Sequence, residues 1–171
     1  MLTDLVEIRR LAEASALENL RFRRYLKAHH YRDGRFRWLA AEVQRQIDCK
    51  LCANCCRQTR VNVSAAEVAA IAAFLGASSE QVLREYTETD PEDRRTMLRQ
   101  RQDACIFLEQ NLCRIYDARP RACREFPYLT APGRSPGARM SSVCRRAWLC
   151  PIVFNTLEGY KKLVGYHEPP A

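Results

Sequence analysis

Four cysteines crowded into eight residues, Cys49, Cys52, Cys55 and Cys56, constrain this chain more than any other feature. Five more follow between residues 105 and 150: Cys105, Cys113, Cys123, Cys144 and Cys150. An odd total and a CxxCxxCC run disfavour a disulfide framework. Closely spaced thiols of this kind are what a soft metal ion or an iron–sulfur cluster requires. On an α-helix the four would lie within an arc of about 120°, and a loop wrapped around a metal would gather them equally well. Adjacent side chains diverge, so Cys55 and Cys56 suit two metals, or one ligand and one supporting thiol. On that reading Cys52 belongs to the run that wraps one centre, and Cys56 serves another role.

The compartment expected for such thiols is the reducing cytoplasm, where a disulfide would not persist. The first ten residues carry Asp4 and Glu7 and have neither the basic start nor the apolar middle of a secretory signal. No stretch approaches the roughly 20 apolar residues of a membrane span. With 171 residues, 47% of them apolar, a packed core is expected that does not rely on staples alone.

The formal charge of +8 counts every cysteine as neutral. Eight thiolates around two divalent ions would bring it to about +4, so the basic excess is expected to offset a negative centre. A nucleic acid or an acidic partner is the other expectation for such charge.

The hydropathy pattern predicts a mainly α protein: a small irregular α+β metal-centred domain with a short β-hairpin, preceded by a helical extension. The division expected is residues 1–48 for the helical region and 49–171 for the cysteine domain. Residues 2–26 read as one amphipathic helix, with Leu5, Ile8, Leu11, Ala12, Leu17 and Leu20 on its apolar side. Gly34 is expected to stop or turn the chain, and a second helix over 36–47 leads into the cysteine run. Ser64 and Glu67 form a capping-box pattern for an Ala-rich helix ending at Gly76, and Ser78 or Ser79 caps another through Tyr86.

Asp90-Pro91 marks a turn. Two strands around Gln110-Asn111 form one hairpin with Cys105 and Cys113 on opposite arms. A short helix with Pro120 in its first turn closes at Pro127. Residues 131–142 read as a loop and 148–164 as the last helix. No internal repeat is evident.

The stretches CKLCANCC at 49–56, CIFL at 105–108 and CRIYDARPRACREFP at 113–127, with Cys150-Pro151 after them, resemble the YkgJ-like cysteine-cluster proteins, the zinc- or iron-chelating CxxCxxCC domain. The resemblance covers about 100 residues. It implies a cysteine-rich centre, iron–sulfur or zinc, and in some relatives the domain is joined to flagellin lysine methylases. Cys49, Cys52, Cys55, Cys56, Cys105, Cys113 and Cys123 carry over position by position. Ala53 stands where the family usually has Gly, and Cys144 is a second late cysteine where one is common.

Arg57, Arg114, Arg119, Arg121, Arg124, Arg145 and Arg146 lie near the cysteines in sequence and can donate hydrogen bonds to sulfur. Arg119 and Arg124, flanking Cys123, are the two expected to touch the cofactor. His29, His30 and His167 lack partners at ligand spacing and are expected on the surface. No phosphate-binding loop, dinucleotide motif or nucleophile with its base is legible, so no catalytic residue is expected.

Three functions remain open. The first is an iron–sulfur protein, most naturally with a 4Fe-4S cluster, in electron transfer, redox sensing or metal handling. The second is an accessory to an enzyme that modifies a protein partner. The third is a zinc-stabilised module for nucleic acid or protein, against which the scattered Lys and Arg residues weigh.

Overall fold

The computed structural model describes residues 1–31, 33–130 and 136–167, with side chains at 136–138 left aside. In chain order the elements are α1 (Leu5–Ala14), α2 (Ala16–Ala28), α3 (Asp33–Gln46), α4 (Cys49–Cys52), α5 (Asn54–Gln58), α6 (Ala65–Leu75) and α7 (Ser79–Tyr86). Six short strands follow: β1 (Thr87–Thr89), β2 (Thr96–Leu98), β3 (Gln100–Arg101), β4 (Ala104–Cys105), β5 (Leu108–Glu109) and β6 (Leu112–Cys113). A 3-10 turn (Tyr116–Ala118), α8 (Arg121–Glu125), α9 (Pro136–Arg146) and α10 (Pro151–Leu163) complete the chain. It is a mainly α protein with three small antiparallel strand pairs.

The chain divides into two compact units. The first joins Met1–Asp48 to Pro127–Ala171, and the second is Cys49–Phe126. Residues 127–171 thus group with the N-terminal helices.

In the first unit α10 packs on α3, α9 and α1, and α2 packs on α9. Ile8, Phe22, Phe36, Met140, Val153, Leu157 and Tyr160 fill its core. Residues 2–26 are two helices, with Ser15 ending α1 and its amide returning to the carbonyl of Leu11. The buried line runs Ile8, Ala12, Asn19, Phe22, Leu26. Leu17 and Leu20 lie roughly 100° or more off it and are exposed at 68% and 52%. The expected stripe therefore fails in α2, because Phe22 offers more apolar area to the core than either leucine.

Asn155 holds the N-terminus through both its amide atoms, to the backbone N–H and carbonyl of Leu2. Two buried cations are paired. Arg139 donates to both oxygens of Asp33, and Lys161 lies between Glu18 at 3.0 Å and Glu158 at 2.8 Å.

Gly34 lies in the first turn of α3. The reversal comes earlier, at His30, whose φ of 50° is left-handed. Residues 136–142, expected as loop, belong to α9, because Met140, Val143 and Ala147 recur at helical steps and are buried. Residues 131–135 of that expected loop lie outside the described residues. The last helix begins at Pro151, which its missing N–H suits for a first helical position.

In the second unit α6 is capped as its sequence dictates. The Ser64 hydroxyl and Glu67 form the reciprocal box, and Gly76 ends the helix at φ 66°. Asp90 makes its turn by accepting from the Glu92 amide. Val63, Val68, Ile71, Ala72, Val82, Leu98, Phe107 and Ile115 form one core. No single described helix is long and apolar enough to cross a membrane. α6 and α7 together pass by length and composition only as a pair bent by 98°, and their Val68, Ile71, Ala72 and Val82 belong to this core.

Phe22 and Leu17 provide a test of which face of α2 is inside. Phe22→Ala is expected to cost about 3–5 kcal/mol in denaturant unfolding. Leu17→Ala should stay within about 0.5 kcal/mol.

Candidate metal centre

The cysteine run is two short helices, α4 and α5, hinged at Ala53, whose φ of 48° and ψ of 15° are left-handed. A single helix would have spread the four cysteines along one side. The hinge turns α5 away from α4 instead, and the Ala53 methyl is buried at the bend. This conformation favours glycine.

Cys105 and Cys113 do not share one hairpin. Each sits on its own, and the two hairpins are in tandem. Gln100 pairs with Cys105 and Arg101 with Ala104; eight residues on, Leu108 pairs with Cys113 and Glu109 with Leu112. Both loops have two residues with positive φ, Gln102 and Asp103 in the first and Gln110 and Asn111 in the second. That is the type I′ turn, whose twist matches that of paired strands.

The next backbone bond matches too, Ile106 N–H to Arg99 carbonyl and Arg114 N–H to Phe107 carbonyl. In both hairpins the amide two residues beyond the cysteine, of Phe107 or Ile115, donates to the cysteine sulfur. Phe107 and Ile115 are themselves fully buried, so each knuckle is fastened to the core. This internal repeat was missed in the sequence. Its signal is Gln-Asp-Ala-Cys at 102–105 and Gln-Asn-Leu-Cys at 110–113.

α5 packs against β4 and α4 against β6, so the two cysteine segments meet. Cys56, Cys105, Cys113 and Cys123 are close enough to influence one another's charge. Burial, with a smaller contribution from the neighbouring sulfurs, pushes Cys105 up to about 11 and Cys123 up to about 12. Cys113 is raised by burial as well. Cys56 moves the other way, to about 7, because the Cys55 side chain hydrogen-bonds to it and Arg57 and Arg119 lie nearby. Cys49 is exposed, and Cys52 and Cys55 are half-buried on the same two helices. None of the nine cysteines forms a disulfide.

Cys144 and Cys150 belong to the first unit. Burial raises Cys144 to about 11, against the nearby charges of Lys161 and Arg23. Cys150 is buried at the N-cap of α10.

The arginines divide in the same way. The Arg119 guanidinium lies 3.4 Å from the Tyr116 ring centroid and donates to the Tyr116 carbonyl, and its charge acts on Cys56, Cys113 and Cys123. Arg124 donates to the Arg119 carbonyl and supports that loop. Arg57 donates to the Cys52 carbonyl and to the Asn111 side chain. Arg114 reaches Glu109 and Tyr86, and Arg121 reaches Glu125. Arg145 donates to Ser141, and Arg146 lies over Tyr128, in the first unit.

Asn111 deserves its place among the site residues although sequence reading gave it only a turn. Its side-chain oxygen accepts from Arg57 and its amide donates to the Leu51 carbonyl at 3.4 Å. It thus ties the second knuckle to both α4 and α5.

Over the whole length of the cysteine unit the charges nearly balance. The cysteine unit holds twelve Lys and Arg against eleven Asp and Glu, and the first unit sixteen against nine.

Among the described residues no three His, Cys, Asp or Glu side chains stand in a closed metal-holding arrangement. The thiols are gathered without being closed. As donors they fit a soft metal: crowding that makes several thiolates costly together is what a bound cation relieves.

Residues 48–151, more than half of the chain, match the family model CxxCxxCC, described as a zinc- or iron-chelating domain. The chain belongs to that family, a class of cysteine-cluster metal-binding proteins. No curated protein and no solved structure matches it.

Two measurements test this site. In reduced, metal-free protein near neutral pH, iodoacetamide should label Cys56 at least about tenfold faster than Cys105 or Cys123, since the thiolate is the nucleophile; peptide mass spectrometry reads the order. The second uses Asn111→Gly, which keeps the positive φ of the turn and removes both side-chain hydrogen bonds. Metal affinity in a chelator titration should fall about 10- to 100-fold, with Gln110→Gly as the control for the turn.

Proposed function

We propose that this protein holds an iron–sulfur cluster and works in electron transfer, redox sensing or metal handling in a reducing compartment. The observation that supports it best is the gathering of Cys56, Cys105, Cys113 and Cys123 from three separate segments into one thiol group. Cys49, Cys52 and Cys55 stand next to that group with CxxCxxC spacing, the run that cluster proteins use. Seven thiols in one unit exceed the four that a tetrahedral zinc ion takes, and a cluster is the soft centre that such a surplus favours.

When bound, a cluster would supply one-electron chemistry. The chain's own contribution is legible in its residues. The amides of Phe107 and Ile115 donate to two sulfurs, and Arg57 and Arg119 place positive charge beside Cys56. Donors and cations of this kind favour the more negative, reduced form of a centre and so raise its potential. Burial of Cys105 and Cys123 limits water at the sulfurs. Because those thiols hold their protons strongly, metal uptake releases protons and weakens as the pH falls. Cys144 and Cys150 are proposed as further ligands only by their place in the matched segment.

Protein purified without oxygen should be brown and contain iron and acid-labile sulfide. Cys56→Ser should lose most of that iron, and Cys49→Ser, at the exposed edge, should lose less. Colourless protein with stoichiometric zinc would replace the cluster reading by the zinc one.

A further inference from the structure

α4 presents an apolar side chain to solvent between two cysteines. Leu51 is 78% exposed, and Leu112, on β6 against which α4 packs, is 57% exposed. The Asn111 amide bonded to the Leu51 carbonyl fixes the two segments side by side. Tyr116, 39% exposed, joins them through Lys50, whose ammonium lies 4.7 Å from its ring centroid. Isolated exposed leucines need no explanation, but two with a tyrosine, beside a cysteine centre, form a patch.

Its rim is basic. Residues 49–58 carry Lys50 and Arg57 and no carboxylate, and residues 111–126 carry Arg114, Arg119, Arg121 and Arg124 against Asp117 and Glu125. Four carboxylates of this unit, Glu88, Asp90, Glu92 and Asp93, lie on the β1–β2 hairpin, and Glu109, cross-strand from Leu112, is paired with Arg114. An apolar centre with a mainly basic rim is the anatomy of a transient protein interface.

We propose that Leu51, Leu112 and Tyr116, rimmed by Lys50, Arg57 and Arg119, form the docking face for an acidic segment of a partner protein. That the partner is served by the centre rests on the metal-binding reading above; the docking itself does not. Nucleic acid fits this face less well. Base stacking needs an open aromatic ring, and the Tyr116 ring already has Arg119 at 3.4 Å and Lys50 at 4.7 Å. Two leucines match apolar side chains, not phosphates. The net charge of +8 would also steer an acidic partner toward the protein over distances longer than contact.

The test uses the full chain, metal-loaded and metal-free, titrated with a fluorescent peptide of alternating leucine and glutamate and with its leucine–lysine counterpart. The glutamate peptide should bind, at least about tenfold more tightly than the lysine one, and should weaken with added salt. Leu51→Ser with Leu112→Ser, and separately Lys50→Glu, should each weaken it about tenfold or more. Leu17→Ser, at an exposed leucine of the first unit, should change nothing.

Circular dichroism checks folding, and Lys50→Glu decides the matter if the double variant does not fold. Absence of binding, equal binding of both peptides, or insensitivity to the variants overturns the proposal, as does displacement of the peptide by oligothymidine. Metal content is read on the same samples. Peptide binding without metal uptake would remove the metal reading alone, and metal uptake without peptide binding would remove the docking face alone.

Discussion

Four residues held in left-handed backbone conformation, Gln102, Asp103, Gln110 and Asn111, determine where Cys105 and Cys113 stand. None is glycine, so each turn carries the steric penalty of L-residues at positive φ. What offsets it is on the far side of each hairpin: Phe107 and Ile115, buried without exposure in the core of the unit. Turn, sulfur and core anchor form one rigid piece, repeated after eight residues. The rest of the site is assembled against that pair, with α5 on the first knuckle and α4 on the second.

Around this frame the electrostatics of the thiols are uneven. Cys105 and Cys123 are half-buried and resist ionisation, whereas Cys56 has the Cys55 side chain and two guanidinium groups to stabilise its thiolate. Soft-metal binding needs thiolates, and this arrangement offers one that is formed readily and others formed only as the cation arrives.

Local signals in the sequence were read well where one residue decides the backbone. Ser64 and Glu67 capped α6, Gly76 ended it and Asp90 made its turn, because side-chain hydrogen bonding and glycine's freedom act over three or four residues. The meeting of the two cysteine segments was legible from spacing and from the resemblance. Packing choices were not. Leu17 and Leu20 fit a helical stripe as well as Phe22 and Leu26 do, and only the competition for core volume separates them. Ala53 in a glycine-like conformation and the knuckle at Gln102-Asp103 were hidden for another reason: tertiary contacts impose positive φ on residues that do not advertise it. Residues 136–142 looked like loop from their Gly, Pro and Ser, yet Met140 and Val143 carry the helix.

The cysteine unit is an insertion. Both its ends lead into the first unit, which is made of the two chain termini and is continuous only through it. Were the inserted segment to open while the first unit stayed folded, its ends would be held as a loop of about 80 residues, at a closure entropy of about 4 kcal/mol plus a constant. Ordering the insertion removes that loop. The state of the thiols therefore reaches the helical unit through chain connectivity itself, so that anything which binds and orders the cysteine segment also makes the two chain ends easier to keep together.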